Sequence, residues 1–152
     1  MTRETIRDLV DRFGLRSITL EELLWEQDST APIGRTETAP ISHRTLRTAI
    51  RCYEARRTRD QHFAGRALFA DPAWDILLDL FIREAQGEPV SVKSASVGSN
   101  VAPSTALRWL KVLESEGLII SRDDSEDRRC RLVTLTSDGR RIMTDCLAAI
   151  AG

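Results

Sequence analysis

Two lysines, Lys93 and Lys111, are all that this chain of 152 residues contains, against twenty arginines. Its three cysteines, Cys52, Cys130 and Cys146, form no C-x-x-C pair and read as free thiols of a reducing compartment. His43 and His62 share no metal-ligand spacing with them, so no metal site is expected. No apolar run is long enough to cross a bilayer. The opening MTRETIRDLV lacks a signal-peptide core. The expectation is therefore a cytoplasmic protein without membrane contact. A Gly-rich phosphate loop, a nucleophile with its base, and a pair of facing carboxylates are also missing. No enzyme, no catalytic residue and no cofactor are expected.

Net charge is nearly absent too, at −1, which at first argues against nucleic acid. Distribution matters more than the sum. Residues 44–66 hold seven arginines against two acids, residues 1–43 and 67–100 are net acidic, and residues 101–152 balance. Any affinity for a polyanion must rest on local arginine placement. At 41% hydrophobic and 30% charged, the composition is that of an ordinary globular protein. The length fits one domain with its own core, or a small domain plus an oligomerisation arm.

What is present is a succession of helix signals. Residues 2–13 read as a short amphipathic helix ended by Gly14. Thr19 and Glu22 form a capping box for a second helix, and residues 26–41 have the Ser, Thr, Pro and Gly content of a mobile linker. Ser42 is placed to cap a long helix over roughly 43–68. Leu46, Ala49, Ile50 and Tyr53 give it a 3.6 period, interrupted by the basic EARRTRD and resumed at Phe63, Ala67 and Leu68. So polar a helix suggests an arm that packs on another subunit or crosses the domain surface. Asp71 and Pro72 are an N-cap followed by proline at the first helical position, opening a helix that Gly87 ends. Trp74, Leu77, Leu78 and Phe81 form its apolar stripe, widened by Ile76 and Leu80. Val90 reads as a short strand, and Ser91 as the cap of another helix.

From there the pattern becomes a helix-turn-helix and a hairpin. Residues 92–98 form the first helix. The turn Gly98-Ser99-Asn100-Val101 holds two residues that tolerate positive φ. Pro103 starts a second helix, 103–116, that stops at Gly117. Ala106, Trp109, Leu110 and Leu113 fall on one face of it, at core spacing. Ser104, Leu107, Arg108 and Lys111 share the opposite face, with Thr105 between them. Arginine reads guanine bidentately, hydroxyls reach phosphates or base edges, and leucine touches a thymine methyl. Lys111 suits a phosphate contact. Taken alone, such a face is an ordinary solvated surface; the turn before it and the hairpin after it change that balance. The hairpin joins 118–122 to 131–135 through DDSEDRR, with a wing at 122–131. Its acids argue against DNA unless one, Asp127 best, pairs with an arginine and shapes the loop, leaving the other arginine for the minor groove. Thr136 caps a last helix whose Ile142, Met143, Cys146, Leu147 and Ile150 need a partner.

Residues 71–139 resemble the MarR family of winged-helix regulators. The resemblance is carried by STALRWLKVLESEGLI, by the DDSEDRR wing and by LVTLTSDG, whose Asp-Arg-Arg and Leu-Thr-x-x-Gly spacing is specific. It implies DNA roles for Ser104, Thr105, Arg108, Arg128 and Arg129, and a wing-stabilising role for Asp127, to which the reading of the helix face adds Leu107 and Lys111. Asn100 stands where the family usually has glycine, and Trp109 where a smaller aliphatic is usual.

The fold expected is mainly α with a small β-hairpin (α+β). It is a winged helix-turn-helix with an added helical N-terminal region and a C-terminal helix for dimerisation. Its organisation is read as 1–41, helices and linker; 42–70, dimerisation arm; 71–136, DNA-binding domain; and 137–152, a dimer-contact helix. The expected function is sequence-specific transcriptional regulation, with double-stranded DNA and a second copy as partners. The competing reading is a winged-helix protein-interaction module, favoured by the acidic wing. A small-molecule effector of unknown identity could sit among Trp25, Trp74 and Trp109, although core packing is the default for each. Cys130, between Arg129 and Arg131, has neighbours that favour thiolate, against the simpler reading of a small strand residue. Cys52 and Cys146 read as packing residues.

Overall fold

The computed structural model describes residues 41–63, 68–125, 127 and 129–152. The expectations placed on residues 1–40, on Ala67 and on Arg128 lie outside the described residues. The element order is α1 (His43–His62), α2 (Pro72–Ala85), β1 (Val90–Ser91), α3 (Val92–Gly98), α4 (Pro103–Ser115), β2 (Ile119–Asp123), β3 (Arg131–Leu135) and α5 (Ser137–Ala151).

The helices start where side chains satisfy orphan backbone N–H groups. Ser42 accepts from the Thr45 N–H, Asp71 from Trp74, Ser91 from Ser94 and Thr136 from Gly139. Pro103 occupies the first position of α4, whose N-cap Ala102 has no side-chain acceptor for an N–H. α2 and α4 end on left-handed glycines, Gly87 (φ 69°) and Gly117 (φ 71°). There the N–H groups of Glu88 and Leu118 turn back to the carbonyls of Arg83 and Leu113.

The strands form one antiparallel sheet in the order β1-β3-β2. Val90 pairs with Val133, and Ile119 with Leu135, so the inward positions of all three strands meet. The core gathers Ile76, Leu78, Leu80 and Phe81 of α2, Val133 of β3, Ile119 of β2 and Leu147 of α5, all buried. Each such side chain contributes roughly 1.5–3 kcal/mol relative to exposure. On α2 the deep positions are Ile76 and Leu80 with Leu78 and Phe81, while Trp74 and Leu77 are only half-buried. The stripe is thus centred on Ile76 and Leu80, which the sequence reading placed at its margin, rather than on Trp74 and Leu77.

One feature differs from the sequence reading: the long helix stops at His62, not near 68, and Phe63 and Leu68 are exposed. Of the two roles its polarity suggested, α1 crosses the domain surface. It packs on α2 and α5 through Thr45, Ala49 and its half-buried Leu46, Ile50 and Tyr53. The polar stretch that suggested an arm is used internally. Arg56 grips Asp75 of α2 with Nε–Oδ1 at 2.6 Å and a second contact to Oδ2 at 3.2 Å. The Arg56 side chain is 14% exposed and that of Asp75 5%. The hydrogen bond to Asp75 raises the guanidinium pKa above its ordinary value. Such a pair costs several kcal/mol to break by deleting one partner.

Candidate nucleic-acid interface

The helix-turn-helix is assembled from α3, the four-residue link 99–102 and α4. Within the turn only Asn100 adopts a positive φ, 54°. Gly98 does not; it closes α3, and its missing side chain serves a different purpose. A Cβ there would lie 2.9 Å from Asp79 Oδ2. Glycine is needed at 98 for close approach rather than for backbone conformation. Ser99 is fully buried and its hydroxyl donates to the Ser96 carbonyl at 2.6 Å.

α4 divides as its spacing predicts. Ala106, Leu110 and Leu113 are buried, and Trp109 packs half-buried against the core. Ser104, Thr105, Leu107, Arg108 and Lys111 are exposed. Among the described residues, no ion pair or hydrogen bond engages Arg108 or Lys111. Both cations and the hydroxyls of the first turn are thus available to a ligand along one helix face.

The wing closes over a short loop. β2 and β3 remain in register to Asp123 and Arg131, whose side chains approach at 3.8 Å. Beyond them the Asp124 N–H donates to the Cys130 carbonyl, and the Cys130 N–H to the Asp127 carbonyl at 2.8 Å. Asp127 Oδ1 accepts the Arg129 N–H at 3.0 Å. An aspartate accepting the amide two residues on forms its own local turn. The described partner of Asp127 is thus a backbone amide, where the sequence reading expected an arginine side chain. The Arg129 side chain is exposed. Arg122, at the end of β2 and equally exposed, went unremarked in the sequence because nothing in a strand pattern singles out one cation.

The wing is tied to α5 by its root. The Thr136 hydroxyl donates to the Gly117 carbonyl at 2.6 Å and accepts from the Gly139 N–H at 2.9 Å. Gly139 is buried against the Leu118 carbonyl, where a Cβ would fall at 2.1 Å. The Leu-Thr-x-x-Gly spacing thus has a steric cause: the first turn of α5 presses on the link between α4 and β2.

A cleft of about 560 Å³ lies between α1 and α3, lined by Tyr53, Arg57, Asp79, Arg83, Lys93 and Val97 among others. Neither Trp74 nor Trp109 lines it. Asp79 is 8% exposed. Its burial raises the carboxyl pKa, opposed by the Arg83 guanidinium 3.1 Å away. Its Oδ2 has no hydrogen-bond partner among the described residues. Burial also pushes the Cys52 thiol up, with Cys146 adding to it. Cys146 itself is exposed rather than packed, and Cys130 is half-buried. Among the described residues no group of histidine, cysteine and carboxylate side chains could hold a metal ion. No described helix is long and apolar enough to cross a membrane.

A helix-turn-helix backed by a three-stranded sheet whose last hairpin projects as a wing defines the winged helix-turn-helix class. No family model and no curated protein matches the chain. Solved structures of similar fold include S. aureus MepR in a DNA-binding conformation, 17% identical, with a TM-score of 0.47, covering 66% of this chain and 68% of that one. Bordetella bronchiseptica BpsR, described in terms of regulation of its DNA binding by 6-hydroxynicotinic acid, is 22% identical with a TM-score of 0.42, covering 70% and 76%. The MarR family transcriptional regulator SPO1453 of Silicibacter pomeroyi DSS-3 is 23% identical with a TM-score of 0.42, covering 76% and 77%.

Proposed function

We propose that this chain is a MarR-like, sequence-specific DNA-binding transcriptional regulator that acts as a homodimer. The observation that carries the reading is the exposed face of α4, where Ser104, Thr105, Leu107, Arg108 and Lys111 line up with neither cation engaged among the described residues. On this reading α4 enters the major groove. Its N-terminal Ser104 and Thr105, with Arg108, approach base edges, and Lys111 meets phosphate. The wing, held in shape by Asp127, carries Arg128 and Arg129 to the minor groove. The second copy is met through α5, where Ile142, Cys146 and Ile150 stay exposed.

The test is selection of genomic DNA fragments by the purified protein at low salt, followed by titration of the recovered fragment. Binding should weaken steeply as salt rises, because phosphate contacts release counterions. Arg108→Ala should weaken the selected site by about 1–3 kcal/mol if Arg108 reads a base. Failure to retain any fragment, or an unchanged affinity in Arg108→Ala, would overturn the assignment of this face.

A further inference from the structure

Helix α1 reaches the helix-turn-helix from outside it. Its last two turns carry Arg57 and Asp60. The Arg57 guanidinium lies over the Tyr53 ring at 4.8 Å and donates to the Tyr53 hydroxyl at 2.9 Å. It also donates to the carbonyl of Gly98, the closing residue of α3. Three residues on, Asp60 Oδ2 accepts from the Asn100 side-chain amide at 3.0 Å. Asn100 is the left-handed residue on which the turn pivots. From the other side Asp79 of α2 fills the space that the absent Gly98 side chain leaves. The turn is thus held between two helices.

The cleft beside these contacts has the chemistry of a joint. Arg83 pairs with Asp79 at 3.1 Å and with Glu88 at 3.0 Å, and Arg57 is spent on Tyr53 and Gly98. A guanidinium on the last carbonyls of α3 supplies donors that a helix C-terminus lacks and matches the negative end of its dipole. The amide clasp on Asn100 fixes the rotation of the turn that follows. Neither Arg57 nor Asp60 belongs to the helix-turn-helix itself, yet one holds the last residue of α3 and the other the turn that sets the angle between α3 and α4.

We propose that Arg57 and Asp60 are positioning residues for DNA recognition, holding the turn at 99–101 so that α4 presents Ser104, Thr105 and Arg108 at the angle base reading needs. The role rests on the DNA-binding reading above. Base contacts tolerate errors of only about 0.5 Å and 10–20°, so a turn freed from α1 loses selectivity before it loses charge. It also makes the winged domain responsive to any displacement of α1.

The experiment compares the parent chain with Arg57→Gln, Asp60→Ala and Asp60→Asn. Amide hydrogen exchange is followed across 99–103. Affinity is measured for the fragment recovered by selection and for a random duplex. Arg57→Gln and Asp60→Ala should quicken exchange at the turn and lower the ratio of selected to random binding about tenfold, as for loss of one charge-assisted hydrogen bond. Random binding should stay near the parent's, since no phosphate contact is removed. Asp60→Asn, which keeps an acceptor, should restore both. If Arg57→Gln fails to fold, Asp60→Ala at its exposed contact carries the test. Unchanged exchange in the variants, or quickened exchange with the parent's selectivity intact, overturns the role. A parent chain that selects no fragment ends the DNA reading and this role with it, whereas a selective parent matched by equally selective variants ends this role alone.

Discussion

A methyl group added at Gly139 would sit 2.1 Å from the Leu118 carbonyl oxygen. Backbone, unlike the tip of a flexible side chain, has nowhere to go. Gly139→Ala must therefore push α5 away from the start of β2, and overpacking of this kind costs about 1–3 kcal/mol. The urea midpoint of Gly139→Ala should fall accordingly with an unchanged slope; an unchanged midpoint would show that the contact relaxes freely. Asp79 makes a second prediction at the same scale. Burial raises its carboxyl pKa in the fold. The protonated form is thus the one the fold favours. Its stabilising contribution is complete below the unfolded value of about 3.9 and is lost as pH rises through the higher folded value. Asp79→Asn does not titrate. The stability of Asp79→Asn minus that of the parent should therefore increase between about pH 4 and pH 7, read from urea midpoints at each pH. A constant or falling difference would mean that the pair with Arg83 outweighs burial.

At the scale of elements, the sequence was most legible where local chemistry decides. Ser42, Asp71 with Pro72, Ser91, Pro103 and Thr136 mark helix starts, and Gly87 and Gly117 mark stops, because caps and left-handed glycines act within a few residues. The two faces of α4 followed from a 3.6 period for the same reason. What escaped was long-range. Arg56 and Asp75 are nineteen residues apart, and Arg57 and Gly98 forty-one. No spacing announces either pair, so EARRTRD suggested an arm on another subunit or across the domain surface, and nothing showed that two of its arginines serve the fold. Gly98 misled for a related reason: a glycine in a turn suggests positive φ, whereas here a carboxylate from another helix dictates it. Thr136 lies on both sides of this divide. Its cap on α5 was legible, and its hydrogen bond to the Gly117 carbonyl was not. Thr136→Val preserves shape and removes both, so it should cost more than a cap alone, about 1–2 kcal/mol. Ser91→Ala, which removes only a cap, is the comparison. Equal losses in the two variants would show that the Gly117 contact contributes nothing.

At the scale of the whole molecule, α5 is half-partnered among the described residues. Met143 and Leu147 are buried within the chain, but Ile142 is 41% exposed and Ile150 53%, with the exposed Cys146 between them at the same helical spacing. Aliphatic side chains at i, i+4 and i+8 form a continuous stripe. A twofold dimer makes one patch serve as its own complement. Pairing two copies through this stripe would present two α4 helices to DNA, and half-sites about 34–36 Å apart would then be expected along one face of the duplex. The chain should sediment at twice its 17.1 kDa. The double variant Ile142→Ser, Ile150→Ser should sediment as a monomer that keeps its fold. It should bind a fragment with two half-sites no better than a fragment with one, because the second contact is no longer intramolecular. A parent chain that sediments as a monomer at micromolar concentration, or a double variant that remains dimeric, would place the interface elsewhere.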